Sequence, residues 1–223
     1  MTFQSTSTGK AALALCWIFL GFFPVLASAE TLLPPQQVIQ ETSDAVKQAL
    51  RENDYKLDIP KATRIVREIL EPHVDVDRAA LLILGKHWRT ATPQQRERFK
   101  NEFRMLLIRT YTAAFTEYRD WNIRYLPLQS PLEDKKAMVR TEILQPGAKP
   151  AAVDYRMVVD ANGAWKVYDV LIEGISLVQN YRTTFSDDIA RTGSLDSVIQ
   201  ELARRNATGS KASINGAAHS PAT

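Results

Sequence analysis

The chain has 223 residues, with one cysteine, 28 basic and 25 acidic residues, and a formal net charge of +3. This length suffices for one domain with a substantial core, and a single cysteine cannot form an intramolecular disulfide. Because the charges are mixed and lysine and arginine form no block, the composition excludes a typical nucleic-acid-binding surface.

Residues 1–29 have the pattern of a cleaved signal peptide. Lys10 provides a basic start, residues 11–26 are an apolar stretch, and residues 27–29 (ASA) form a small-residue cleavage site. The apolar stretch is too short to span a bilayer comfortably, so we expect cleavage rather than a retained anchor. Cys16 leaves with the leader, and an exported domain without disulfides suits the bacterial periplasm. The pattern therefore predicts a periplasmic protein without a thiol nucleophile.

The first part of the mature chain predicts three helices. Their apolar residues recur three or four positions apart, the spacing that places them on one helix face. Prolines and aspartates at the boundaries favour helix starts and stops. We expect these helices over 34–50, from near Pro60 to a stop at Pro72, and from a cap at Asp75 or Asp77 through the apolar run 79–84.

The clearest helix start is the segment TPQQ at residues 92–95. Thr92 can cap the helix, Pro93 suits its first position, and Gln95 can reach back to the cap. The apolar residues that follow form one broad stripe over about five turns, which must cover a large surface. They are Phe99, Phe103, Leu106, Leu107, Tyr111, Ala114, Phe115 and Tyr118.

From residue 121 the pattern changes to the alternation that is typical of strands. Asn162-Gly163 is a hairpin signal between the third and fourth strands. Four successive strands with short links predict an antiparallel meander. The strands are expected over 121–125, 139–143, 153–159 and 165–172.

Two helices are expected after the sheet. Ser176 caps the first, which continues toward Gly193, and Ser194 caps the second. Beyond residue 205 the chain is small, polar and unpatterned, which is typical of disorder. We therefore predict a single domain over 30–205 and a disordered tail over 206–223.

The catalytic patterns in this chain are incomplete. Residues 174–178 (GISLV) contain only the first half of a G-x-S-x-G nucleophile elbow, so Ser176 is better explained as a helix cap. Asp169 and Glu173 share a strand face, but such carboxylates usually form ion pairs. The three histidines lack metal-ligand spacing. We expect no enzyme, no metal and no cofactor; the alternative is a small exported hydrolase that uses Ser176 or Asp169.

What remains is an abundance of large apolar side chains on the long helix and on the strands. An ordinary helix-on-sheet core is the simplest interpretation. The sharper hypothesis is that these side chains hold helix and sheet apart and leave a deep apolar cavity, which binds apolar ligands. A scaffold protein whose cavity is only core is a further alternative.

Two separated motifs carry a family resemblance. The first is LGKHWRTATPQQR at residues 84–96, followed by apolar residues of the long helix. The second comprises VDYRM at 153–157, WKVYDV at 165–170 and EGISL at 173–177. In this order, and over roughly residues 35–205, the chain resembles the MlaC family, the toluene-tolerance family of periplasmic phospholipid-binding proteins.

This resemblance implies an α+β fold in which a helical layer packs on a twisted antiparallel sheet of four or slightly more strands and encloses an apolar pocket. It implies phospholipid as bound cargo, with the acyl chains in the pocket. Family members shuttle phospholipid between an outer-membrane lipoprotein–porin complex and an inner-membrane ABC transporter with an MCE-domain subunit, which maintains outer-membrane lipid asymmetry. We expect the same partners, and a monomeric carrier, for this chain.

We expect the cavity to be lined by inward side chains of the long helix, the strands and the junction that follows the last strand. These are Leu107, Tyr111, Phe115, Val139, Tyr155, Met157, Val167, Val170, Ile175 and Val178. Partner docking is expected on polar surface near the start of the long helix, at Arg89, Arg96 and Lys100.

Overall fold

The computed structural model describes residues 31–51, 58–117, 121–128 and 135–208, apart from the side chains of residues 59 and 113–117. From Leu32 onward these residues belong to one structural unit. The expected signal peptide and residues 209–223 lie outside the described residues, so the leader and most of the tail stay predictions.

Seven α-helices occur in the described residues, and all of the predicted helices are among them. Asp75 and Ser176 cap helix starts through their side chains. At the long helix the Thr92 amide donates to Gln95 Oε1 at 2.9 Å, and the Gln95 amide donates to Thr92 Oγ1 at 3.1 Å. The helices are α1 Pro34–Arg51, α2 Ile59–Leu70, α3 Val76–Leu84, α4 Lys86–Thr90, α5 Pro93–Glu117, α6 Leu177–Thr192 and α7 Leu195–Thr208, with a 3₁₀ turn at Glu71–His73 between α2 and α3.

The described strands form one antiparallel sheet in the order β1-β2-β3-β4-β5. This is the predicted meander with one addition, a two-residue strand that pairs with the end of β4. The predicted class, an α+β fold with an antiparallel sheet of four or slightly more strands, is confirmed. The strands are β1 Asn122–Tyr125, β2 Lys136–Leu144, β3 Ala151–Val159, β4 Trp165–Ile172 and β5 Ile175–Ser176.

A β-bulge between β3 and β4 determines which side chains share a face of the sheet. Val170 lies opposite Tyr155, whereas Val167 lies opposite Met157, because the register shifts between Arg156 and Met157. Val167 and Val170 are three residues apart and would point to opposite faces of a regular strand. The bulge places both on one face, which we call the apolar face and define by Val139, Tyr155, Met157, Val167 and Val170.

Of three buried clusters in the described residues, two border the sheet, and the third joins α1, α2 and α5. The helical core joins α3, α5, α6 and α7 and contains Phe99, Phe103, Tyr181 and Phe185. Its aromatic rings stack and meet edge to face at centroid distances of 5.0 to 6.2 Å. The smaller sheet core contacts the apolar face, where Ile39 of α1 packs with Val139 and Met157. Helices therefore cover the apolar face of the sheet from more than one side.

The last helix continues beyond the domain boundary that was expected at residue 205. α7 ends at Thr208, so residues 206–208 are helical rather than disordered. Asn206 explains the extension, because its side-chain amide donates to the main-chain carbonyl of Glu102 at 2.9 Å and to the Glu102 carboxylate at 2.7 Å. These bonds anchor the last turn of α7 to α5.

Candidate functional site

The residues predicted to line a cavity divide between the helical core and the sheet core. Leu107, Tyr111, Val170 and Val178 pack against the helical core. Val139, Tyr155, Met157 and Val167 belong to the sheet core or pack against it. The side chain of Phe115 lies outside the described residues, and Ile175 is exposed and belongs to neither cluster. A ligand that touched the whole predicted set would therefore lie between the two clusters.

Strand β4 pairs with β3 along its length and with β5 only at its end, and its two sides differ in exposure. On its apolar side, Trp165, Val167, Val170 and Ile172 all retain some accessible surface. On its opposite side, Asp169 and Leu171 are only 4% and 8% exposed, whereas Lys166 keeps accessible surface. On β2, by contrast, Ala137, Val139 and Thr141 are buried on the apolar face. The helices therefore seal the apolar face over β2 and leave accessible apolar surface over β4.

Two tyrosines beside this surface lie in largely apolar surroundings. Burial raises the pKa of Tyr155 to about 12, and it raises the pKa of Tyr111 further. Burial has this effect because a tyrosinate is stabilised less by apolar surroundings than by water. Both side chains nevertheless keep some accessible surface. Both tyrosines therefore have mainly apolar neighbours, as an apolar ligand would require.

Ile175 lies at the margin of the apolar face rather than inside it. Its register partner is Ile172, which itself lies opposite Val153, so all three side chains point to the same face. Ile175 is 47% exposed, because β5 is only two residues long and forms the edge of the sheet. Its contact with a ligand stays a prediction, and its position suits the mouth of a cavity better than the wall.

Ser176 and Asp169 are joined to each other, but in a structural arrangement. Ser176 Oγ donates to Asp169 Oδ2 at 2.7 Å and accepts from the Gln179 amide at 3.0 Å. Asp169 also accepts from the Arg156 guanidinium at 2.9 Å and from the Val178 amide at 3.0 Å. The bonds from Ser176 and Val178 to Asp169 fix the start of α6 to β4, the bond from Arg156 joins β3 to β4, and none of the four bonds involves a histidine. The hydrolase alternative is therefore not favoured.

Glu173 of the second motif has a structural role at the turn that follows β4. Glu173 and Gly174 both have positive φ angles, 48° and 78°, and they connect β4 to β5 as a two-residue hairpin. A positive φ is costly for glutamate. Two hydrogen bonds to Ala152 offset that cost: the Glu173 amide donates to the Ala152 carbonyl, and the Ala152 amide donates to the Glu173 carboxylate.

The three residues predicted to dock partners have different surroundings. Arg96 donates to the Trp88 carbonyl at 3.0 Å and lies over the Trp88 ring. Lys100 binds Asp77 and Glu97, each at 2.7 Å, and these hydrogen bonds raise the pKa of Lys100. Arg89 is exposed. Charge reversal at Arg96 or Lys100 would disturb internal contacts, so Arg89 provides the cleaner test of docking.

Other kinds of site receive no support from the described part of the chain. It contains no group of three or more histidine, cysteine, aspartate or glutamate residues that could hold a metal ion. None of its helices combines the length and the hydropathy that crossing a membrane requires. A cleft of about 380 Å³ lies between α6 and α7. Its charged residues already pair with one another, as Asp188 does with Arg191 and Glu201 with Arg205.

Comparison with known proteins identifies the family. The model of the family described as "MlaC protein" matches residues 40–204. The chain belongs to the MlaC family. It is similar to the toluene tolerance protein ttg2D of Pseudomonas putida, with 30% identity over 89% of this chain and 92% of that protein. It is 28% identical to the intermembrane phospholipid transport system binding protein MlaC of Haemophilus influenzae, over 79% of this chain and 83% of that protein.

A solved structure shares the MlaC-family fold seen here. It is the phospholipid-binding protein of Ralstonia solanacearum, determined in complex with a phospholipid. The TM-score is 0.74 and the identity is 30%, over 80% of this chain and the whole of that chain. The family resemblance found in the two sequence motifs is therefore confirmed.

Most of the residues discussed from the two MlaC-family motifs have structural roles. Gly85 adopts φ 51° and ψ −115°, a conformation that essentially requires glycine. Phe99 and Phe103 belong to the helical core, and Asp169 and Ser176 hold the sheet to α6.

Three further residues on the accessible part of the apolar face were not predicted from the sequence: Val153, Trp165 and Ile172. Their alternation with polar residues indicates that they share a face within each strand. Which face each β4 residue occupies depends on the bulge, because the bulge shifts the register within the strand.

Proposed function

We propose that this protein binds phospholipid and carries it through the periplasm. The acyl chains lie against the apolar face of the sheet, between the helical core and the sheet core, and the polar head group stays at the mouth. The observation that carries the proposal is the row of apolar side chains on β4 that keep accessible surface between the helical core and the sheet core. Each CH₂ group that leaves water for such a surface gains about 0.8 kcal/mol, so a long acyl chain binds strongly.

The comparisons support the chemical class of the cargo. The Ralstonia relative holds a phospholipid, and the Haemophilus relative is named for intermembrane phospholipid transport. We infer the same cargo for this chain, with no cofactor and no catalytic step. The apolar lining requires neither, since a carrier only has to exclude water from the chains and release them again.

The wider role that we propose follows from the family. The carrier is exported through cleavage after residue 29 and works as a monomer. It exchanges phospholipid between an outer-membrane lipoprotein–porin complex and an inner-membrane ABC transporter with an MCE-domain subunit, which maintains outer-membrane lipid asymmetry. A passive carrier has no transport direction of its own, because its partners set the lipid gradient.

The test compares a charge on each face of the sheet. Val170→Glu places a carboxylate on the accessible apolar face, where an unpaired charge costs several kcal/mol. Met138→Glu is the matched control, because Met138 is exposed and lies opposite Arg156 on the other face. Organic extraction and mass spectrometry of the purified proteins should find phospholipid in the wild type and in Met138→Glu, and little in Val170→Glu.

Three outcomes would contradict the proposal. The first is wild-type protein, expressed with its leader, that contains no phospholipid. The second is a folded Val170→Glu protein with full phospholipid occupancy, which would place the cargo elsewhere. The third is an empty protein that hydrolyses an ester substrate and loses this activity in Ser176→Ala, which would favour the hydrolase.

A further inference from the structure

A group of exposed cations surrounds the junction of α3 and α4. Arg182 of α6 lies against this junction, since a methyl group at Gly85 would be 3.2 Å from two nitrogens of the Arg182 guanidinium. Lys86 follows Gly85 directly, and Arg89 is one turn further along α4. All three cations are exposed. We call Lys86, Arg89 and Arg182, with the neighbouring Leu81, the basic corner.

The cations of the basic corner have no counter-ion among the residues that the structure describes. None of the three makes an ion pair or a side-chain hydrogen bond with the residues that the structure describes. Nearby, Lys100 binds Asp77, and Arg78 binds Asp75 at 3.2 Å. The basic corner is therefore a local excess of positive charge on a protein of nearly balanced composition. Such an excess attracts anions over about one Debye length.

The basic corner also offers an apolar contact. Leu81 is 46% exposed and lies one turn before Gly85, whose amide donates to the Leu81 carbonyl at 3.0 Å. The aromatic residue of the same segment, Trp88, is covered by Arg96 and packs against the helical core. Basic residues around an exposed leucine, without a free aromatic anchor, fit a layer of lipid head groups better than the aromatic-rich centre of a protein interface.

We propose that the basic corner binds the surface of an anionic bilayer. This inference rests on the proposed function, because a phospholipid carrier has to reach membranes in order to load and unload. The basic corner shares Arg89 with the docking surface predicted from the sequence and replaces Arg96 and Lys100 with Lys86 and Arg182. Three cations give weak and reversible binding, since each basic residue near an anionic membrane strengthens binding about fivefold. Weak binding suits a carrier that has to leave again.

The test is co-sedimentation of the phospholipid-loaded protein with vesicles. One vesicle population contains phosphatidylcholine alone, and the other contains two parts phosphatidylcholine to one part phosphatidylglycerol. The corner variant carries Lys86→Gln, Arg89→Gln and Arg182→Gln. The control variant carries Lys136→Gln, Arg140→Gln and Lys149→Gln, which remove the same charge from the sheet and its β2–β3 connection. Circular dichroism and melting temperature establish that both variants fold.

The wild type should bind the anionic vesicles, bind the neutral vesicles much more weakly, and dissociate as salt is raised. The corner variant should lose about a hundredfold in affinity, and the control variant should stay within about threefold of the wild type. Absence of wild-type binding to anionic vesicles would overturn the inference. So would equal losses in the two variants, or unchanged binding of the corner variant.

The same preparations separate this inference from the proposed function. Phospholipid is extracted from each protein and quantified before the vesicles are added. Wild-type protein that carries phospholipid but does not bind anionic vesicles would contradict only the proposed role of the basic corner. Wild-type protein that carries no phospholipid would contradict the proposed function.

Discussion

The helical core and the apolar face over β4 contain the same kinds of side chain but pack in different ways. In the helical core Phe99 and Phe103 are completely enclosed by neighbouring rings. Over β4 four apolar side chains keep accessible surface on the face that the helices cover. The difference shows that apolar content alone does not separate a core from a binding surface. The two are distinguished by whether neighbouring side chains cover the apolar surface completely.

The largest expected effect is in the helical core. Phe103→Ala removes a ring that stacks on Phe99 at 5.7 Å and meets Tyr181 edge to face at 5.0 Å. We expect the free energy of unfolding to fall by about 3–5 kcal/mol, because a tightly packed core cannot close the cavity. Urea unfolding followed by circular dichroism measures this change. A loss below about 1 kcal/mol would show that the helical core is less tightly packed than the structure indicates.

The next largest effect is expected at Asp169, which connects the sheet to the start of α6. Asp169→Asn keeps the shape of the side chain but removes the charge that accepts bonds from Arg156, Ser176 and Val178. We expect a loss of about 2–3 kcal/mol, since hydrogen bonds to a buried charged group are stronger than neutral ones. The same unfolding experiment applies. A hydrolase that used Asp169 would lose turnover in a variant whose stability is unchanged, and that result would reverse our assignment of this residue.

A smaller effect is expected on the apolar face. Val170→Ala removes two methyl groups from a side chain that already keeps accessible surface. We expect a loss of about 1 kcal/mol or less in the lipid-free protein, because little packing is broken. The lipid-loaded protein should lose more, since the ligand then fills the adjacent space. Melting temperatures before and after delipidation give both values. Equal losses in the two states would mean that the cargo does not touch Val170.

The smallest effect at neutral pH is expected for Tyr181→Phe. The hydroxyl of Tyr181 is buried without a hydrogen-bond partner among the described residues, so its removal should change stability by less than about 1 kcal/mol. Burial raises the pKa of Tyr181 to about 12. The folded state therefore favours the neutral phenol, and stability present below pH 10 is lost as the pH rises toward 12. Phenylalanine should reduce this alkaline loss, which unfolding from pH 8 to 11.5 measures.

The sequence predicted the parts of this fold that depend on local chemistry. The capping box of Thr92 and Gln95 and the cap at Ser176 need only neighbours along the chain, and the structure contains both. The hairpin at Asn162-Gly163 is also present, with Asp160 and Ala164 closing its loop. Short-range hydrogen bonds and turn conformations determine such features, so one sequence is sufficient to predict them.

Features that depend on distant partners were not predictable in this way. The bulge beside Met157 arises from the pairing of two strands, and no single-strand pattern shows it. The internal roles of Arg96 and Lys100 depend on Trp88 and Asp77, which only the folded chain brings to them. The cavity-lining set was chosen by alternation, which predicts a shared face but not whether neighbouring side chains close over it.

The most direct test of the account is photo-crosslinking of bound phospholipid from the two faces of the sheet. A diazirine-bearing side chain is placed at Val170 on the apolar face or at Met138 on the opposite face, and the lipid-loaded proteins are irradiated and analysed by intact-protein mass spectrometry. The account predicts phospholipid adducts at position 170 and none at position 138. Adducts at 138 alone, or none at 170 in protein from which phospholipid is extracted, would contradict it.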